Sequence, residues 1–120
     1  MKTKQAVTVY EKPTLSTCRE VKRVLAERGV EFETVNYIAN PLSAGELKKL
    51  LRLAGLNPQE VIRTQEPAYR EFVAGKNLTD DELLLVMAAH PELLQRPIVI
   101  RADKGVLARP IENLGKLGIK

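Results

Sequence analysis

The passage from Ala6-Val7-Thr8-Val9 into the amphipathic run Thr17–Arg28 limits this chain more than any other stretch. The first run is β-branched and predicts a strand over residues 6–10. The second puts Val21, Val24 and Leu25 at helical spacing, with Gly29 as the stop. Val30-Glu31-Phe32-Glu33-Thr34-Val35-Asn36-Tyr37 then alternates apolar and polar residues, which predicts a second strand. Strand, helix and strand in so short a span imply a parallel pair joined by a crossover helix.

The turn at the head of this unit carries the only cysteine, Cys18. Thr17 and Glu20 have the spacing of a capping box, so Cys18 is expected at the first helical position. Backbone N–H groups are unpaired there and the helix dipole is positive, which lowers a thiol pKa. Arg19 adds positive charge next door. The bland alternative is a small buried apolar residue, the commoner fate of a lone cysteine.

Downstream, Asn40-Pro41 breaks the chain. Ser43 and Glu46 form a second capping box ahead of Leu47, Leu50, Leu51 and Ala54, and Gly55 ends that helix. Pro58 opens a short helix through Ile62. Residues 63–67 read as a loop, Ala68–Val73 as another helical piece and Gly75-Lys76-Asn77 as a turn. Thr79 and Glu82 cap a helix carrying Leu83, Val86 and Met87, which ends near His90-Pro91. Pro97-Ile98-Val99-Ile100 is an apolar strand, Ala102-Asp103-Lys104-Gly105 a hairpin turn, and Val106-Leu107-Ala108 the returning strand. Pro110 opens a final helix from Ile111 to about Leu117. The predicted architecture is α/β and thioredoxin-like, β-α-β … β-β-α, as one domain over residues 1–120 with a helical insertion at about 43–93. In that arrangement Pro97 opens the strand beside the first turn, so the Arg96-Pro97 bond is expected to be cis; a trans proline starting a strand is the alternative.

Composition removes several function classes. The 120 residues suffice for one real core. Aromatics are 4% and there is no tryptophan, which argues against base-stacking platforms for nucleic acid. A net charge of +4 without a basic run suits a small anion better than a duplex. One cysteine excludes an internal disulfide, and one histidine beside it cannot make a zinc site, so no metal is expected. No apolar stretch has transmembrane length, and Met1-Lys2-Thr3-Lys4-Gln5 has no signal-peptide core after it; the expected location is cytoplasmic. His90 reads as a helix-end cap, and Glu11 and Lys12 as solvated residues flanking the loop.

Several separated motifs follow one another in a familiar order: Lys12-Pro13-Thr14-Leu15-Ser16-Thr17-Cys18-Arg19, Asn36-Tyr37-Ile38-Ala39-Asn40-Pro41-Leu42-Ser43, Val61-Ile62-Arg63, Leu78-Thr79-Asp80-Asp81, His90-Pro91, Gln95-Arg96-Pro97-Ile98-Val99-Ile100 and Ala108-Arg109-Pro110. The chain resembles the glutaredoxin-coupled arsenate reductases over nearly all its length, and the related Spx-type regulators of RNA polymerase. The resemblance implies a cysteine that attacks arsenate, three arginines that hold the oxyanion, glutathione as the second thiol and co-substrate, and glutaredoxin to clear the mixed disulfide. No bound cofactor is implied.

The arginines map onto Arg63, Arg96 and Arg109. The nucleophile's position falls on Leu15, and Cys18 stands three residues later, so the loop is an L-x-x-C version of C-x-x-C. Two readings remain. One is an arsenate-reductase-like thiol oxidoreductase with Cys18 as its only thiol. The other is a catalytically degenerate, Spx-like binding module, with RNA polymerase as the kind of partner implied. The arginines are expected to converge on the Leu15–Cys18 turn; the alternative is pairing with local carboxylates such as Glu66 or Glu112.

Overall fold

A computed structural model describes residues 6–119, so the reading of Met1–Gln5 lies outside the described residues. The elements run β1 (Val7–Glu11), α1 (Ser16–Glu27), β2 (Phe32–Asn36), α2 (Ala44–Ala54), α3 (Pro58–Val61), α4 (Pro67–Phe72), α5 (Asp80–Ala89), a 3-10 helix Pro91–Leu93, β3 (Ile98–Arg101), β4 (Lys104–Leu107) and a 3-10 helix Ile111–Leu117. The sheet order is β2-β1-β3-β4. β1 lies parallel to β2, with Val9 opposite Thr34, and antiparallel to β3, with Val9 opposite Val99. The β-α-β and β-β-α blocks thus meet as the sequence predicts, β3 pairing directly beside β1.

The pleat sorts the core into two layers. Val7, Val9, Val99 and Val106 turn to one face and pack with Val21 and Leu25 of α1 and with Leu114, Leu117 and Ile119. Tyr10, Ile98, Ile100 and Leu107 turn to the other and meet Leu47, Leu50 and Leu51 of α2 and Leu83, Leu84 and Met87 of α5. Val21 and Leu25 have no exposed surface, which is what their helical spacing requires.

The local signals hold where nothing distant competes with them. Both Ser43–Glu46 and Thr79–Glu82 form complete capping boxes, and Gly55 closes α2 in the left-handed region at φ +69. A third box, Asn57–Glu60, caps α3. Most element ends fall within one or two residues of expectation, and two segments differ in kind. The hairpin loop is Ala102-Asp103 alone, because Arg101 pairs with Lys104 and Gly105 already lies in β4 opposite Ile100. The last segment is 3-10 rather than α-helical, with Pro110 as its N-cap.

β1 is an inner strand, and α1 springs from the end of it beside the start of β3. Among the described residues no helix is long and apolar enough to cross a membrane.

Candidate active site

The turn after β1 closes on itself before the helix begins. Leu15 N–H donates to the Lys12 carbonyl at 3.0 Å, and Arg19 N–H donates to the Leu15 carbonyl at 3.1 Å. Leu15 is therefore the N-cap of α1, with φ −83 and ψ 132 and no side-chain cap. This corrects the expected Thr17–Glu20 capping box. Thr17 already lies within the first helical turn, and the Glu20 carboxylate is taken by Arg23 on the solvent side. Arg19 braces the turn, donating from Nη1 to the Thr14 carbonyl at 2.9 Å. The first N–H groups of α1 consequently face the loop without a side-chain partner of the capping type.

Cys18 is the third residue of the helix, not the first, and has no exposed surface. Burial pushes its thiol pKa up; a backbone hydrogen bond with Lys12 pulls it down, the Glu11 carboxylate pushes it up again, and Arg96 and Lys22 oppose that. The expected depressed thiol is thus overturned. Desolvation outweighs the helix terminus, because a buried thiolate loses its water before the dipole can repay it. Alkylation checks this directly. Native Cys18 is expected to react with iodoacetamide more slowly than the denatured chain, with a midpoint above the ~8.5 of a free thiol. The linkage sign follows: with the folded pKa raised, the stability held by the neutral thiol is fully present below about pH 8.5 and is lost as pH rises through the folded value.

Glu11 is the second correction. It is 2% exposed rather than solvated, and Lys22 Nζ of α1 stands 2.9 Å from its Oε1 as an ion pair. The signal was present: Val7, Val9 and Glu11 share the buried face of a period-2 strand. A buried carboxylate and its ammonium partner therefore lie behind the loop.

The arginines assemble around the segment that leads into β3. Arg96 is 2% exposed, and its Nη1 donates to the carbonyls of Glu92 at 3.1 Å and Leu94 at 3.2 Å. Its Nε has no hydrogen-bond partner. Its positive charge pulls the pKa of both the Cys18 thiol and the Tyr37 hydroxyl down, against the larger effect of burial. Tyr37, missed by the sequence reading as a site residue, donates to the same Leu94 carbonyl at 3.0 Å. Burial drives its pKa well up, so it is a neutral donor.

Arg109 Nη1 donates to the Arg96 carbonyl at 3.2 Å. Arg63 reaches the same segment through its neighbour: Nη1 donates to Gln95 Oε1 at 3.1 Å, while its backbone N–H donates to the Leu93 carbonyl at 2.7 Å. Gln95 N–H returns a bond to the Val61 carbonyl at 2.8 Å, completing a short antiparallel link with Ile62 opposite Leu94. Arg63 also pairs with Glu66, Nε to Oε2 3.3 Å, as the local alternative foresaw; Glu112 pairs with none of the three among the described residues. Arg63 and Arg109 are bonded to the segment that carries Arg96, and Arg96 acts on Cys18 through its charge. The Arg96-Pro97 bond is cis, as expected, and so is Arg109-Pro110.

Residues 10–117 match the sequence model of the ArsC family. The chain is 38% identical over 114 residues to the uncharacterized protein YfgD of Escherichia coli strain K12, covering 93% of this chain and 95% of that one. It is 34% identical over 110 residues to the arsenate reductase of Neisseria meningitidis serogroup A, covering 90% of this chain and 94% of that one. Its structure superposes on that of the arsenate reductase from Vibrio cholerae with a TM-score of 0.89 at 33% identity, covering 98% of this chain and all of the other. The fold is thioredoxin-like, and the chain belongs to the ArsC family.

Proposed function

We propose that the protein is an arsenate-reductase-like thiol oxidoreductase whose oxyanion is held by Arg63, Arg96 and Arg109, with Cys18 as its only thiol. One observation carries the reading. The Arg96 guanidinium is buried with an unpartnered Nε, its charge acts on Cys18, and two further arginines are bonded to its segment. A buried cation is expensive unless an anion or carboxylate compensates it. Paired guanidinium donors and the uncapped start of α1 suit a tetrahedral oxyanion. The family's arsenate reductases supply the substrate class.

The reaction balances as one arsenate and two thiols giving arsenite, a disulfide and water. Arsenic gains the two electrons that the Cys18 and glutathione sulfurs lose. Cys18 first displaces an arsenate oxygen, which leaves as water. The glutathione thiol then attacks, and the two sulfurs end as a mixed disulfide that glutaredoxin reduces. The cytoplasm, which holds both reductants, is the fitting location. For Cys18 to act, its sulfur must gain solvent access and give up its raised pKa, and binding of the oxyanion to Arg96 brings neither by itself.

That burial favours a second reading. With Leu15 at the N-cap and the thiol sealed beneath, the chain is an oxyanion-responsive, Spx-like binding module that performs no redox step. Thiol-linked turnover separates the two. With arsenate, glutathione and glutaredoxin supplied, the wild type is expected to form arsenite, and Cys18→Ser to form none. Equal, background-level arsenite from both proteins sinks the enzyme and leaves the module.

A further inference from the structure

A second basic site lies along the free edge of the sheet, sharing Arg109 with the first. An open cleft of about 400 Å³ runs beside β4 between the end of α2 and the last 3-10 helix. Its charged lining consists of Arg52, Lys104, Arg109 and Lys116, without a carboxylate among the described residues. These cations come from the last turn of α2, from β4, from the loop beyond it and from the 3-10 helix, so sequence neighbours do not force them together. Among the described residues none of the four pairs with a carboxylate within 4.0 Å.

The backbone adds donors of the same sense. β4 is an edge strand. Ala108 N–H donates to the Pro97 carbonyl at 2.9 Å, which makes residues 97 and 108 a hydrogen-bonded pair. By alternation, 99 with 106 and 101 with 104 are bonded too, and Gly105 and Leu107 turn their N–H and C=O groups outward. Asn113 Nδ2 occupies the outward Leu107 carbonyl at 2.9 Å. The N–H groups of Leu107 and Gly105 are left on the free edge, on residues that line the cleft.

Besides the outward Gly105 carbonyl, the feature of opposite sign is the carbonyl end of α2. It is closed by Gly55 N–H on the Arg52 carbonyl at 3.1 Å and Leu56 N–H on the Leu51 carbonyl at 2.9 Å. A Cβ at Gly105 would stand 2.3 Å from Ile100 Cδ1 on the neighbouring strand, and 3.4 Å from the Ala54 Cα of α2.

We infer that this cleft binds a compact polyanion carrying two or more phosphate or carboxylate groups. Two arginine forks and two lysines can each take a separate oxygen cluster, which a single tetrahedral oxyanion cannot satisfy. The site does not depend on the thiol reading, and only Arg109 is shared with it.

Calorimetric titration of the full chain with inorganic pyrophosphate, and separately with citrate, tests the inference and tells phosphate from carboxylate ligands. At least one probe is expected to bind at low salt and to bind more weakly at about 0.15 M. The double substitution K104E/K116E, at exposed side chains, is expected to weaken it at least tenfold, while Arg96→Met leaves it in place. The melting temperature of each variant confirms that it is folded. Failure of both probes at low salt overturns the inference. So does binding that survives K104E/K116E, or that disappears with Arg96→Met because the probe sits at the thiol pocket instead.

Discussion

Arg96→Met is expected to leave the protein folded and to remove its stabilisation by arsenate. Arg96 is a buried guanidinium, and its mapped partners are backbone carbonyls rather than a carboxylate. Methionine has similar reach and no charge to desolvate. Replacing buried ionic groups by apolar ones of like volume is often neutral or stabilising by about 1–4 kcal/mol. Against that gain stand the Glu92 carbonyl, which loses its mapped side-chain donor, and the Leu94 carbonyl, which keeps the Tyr37 hydroxyl. One lost donor costs about 1–3 kcal/mol. The variant's own stability is therefore expected within about 2 kcal/mol of the wild type's.

The ligand response should differ far more. Saturating an anion site at a hundred times its dissociation constant stabilises the wild type by about 2.7 kcal/mol. The variant should show almost none of it. Thermal melts of both proteins, with and without arsenate, read the effect. An equal shift in both would mean that Arg96 is only a structural brace. Absence of a shift in the wild type would remove the oxyanion site.

Leu15→Cys is expected to raise thiol-linked arsenate reduction at least about a hundredfold over the wild type, a barrier change of roughly 2.7 kcal/mol. Leu15 occupies the N-cap of α1, is only partly buried, and stands where the helix's first N–H groups lack a side-chain cap. A sulfur at that place gains those donors and the dipole without the desolvation that burdens Cys18. Its pKa is expected below the ~8.5 of a free thiol, while that of Cys18 stays above it. The rate should accordingly rise with pH and level off as the new thiol ionises. The neighbouring Cys18, three residues on, allows a disulfide between the two, so the assay is run with Cys18→Ser as well. If both cysteine-15 proteins remain at background with glutathione and glutaredoxin present, the site lacks more than its nucleophile.

Much of the architecture is legible in the sequence itself. The Ser43–Glu46 and Thr79–Glu82 boxes, and the stop at Gly55, depend on residues within one helical turn, so neighbours in sequence settle them. The strand pattern of β1 and β3 fixes which residues enter which layer, because alternation leaves only two faces. Family resemblance points to Arg63, Arg96 and Arg109, and all three meet around the segment ahead of β3.

What distant parts of the chain contribute is not legible there. The Thr17–Glu20 signal is as good locally as the two that hold, yet the Lys12–Leu15 turn starts the helix earlier and Arg23 takes the glutamate. Cys18 looks activated from its position on α1. Its pKa rises because it is sealed from water, and desolvation is a property of everything packed around an atom. The sequence determined the elements, their order and the identity of the cations. Tertiary structure alone decided that Lys22 pairs with the buried Glu11, that Arg96 is buried, and that four cations are left lining an open cleft, since a charge's cost depends on its surroundings in space and not on its neighbours along the chain.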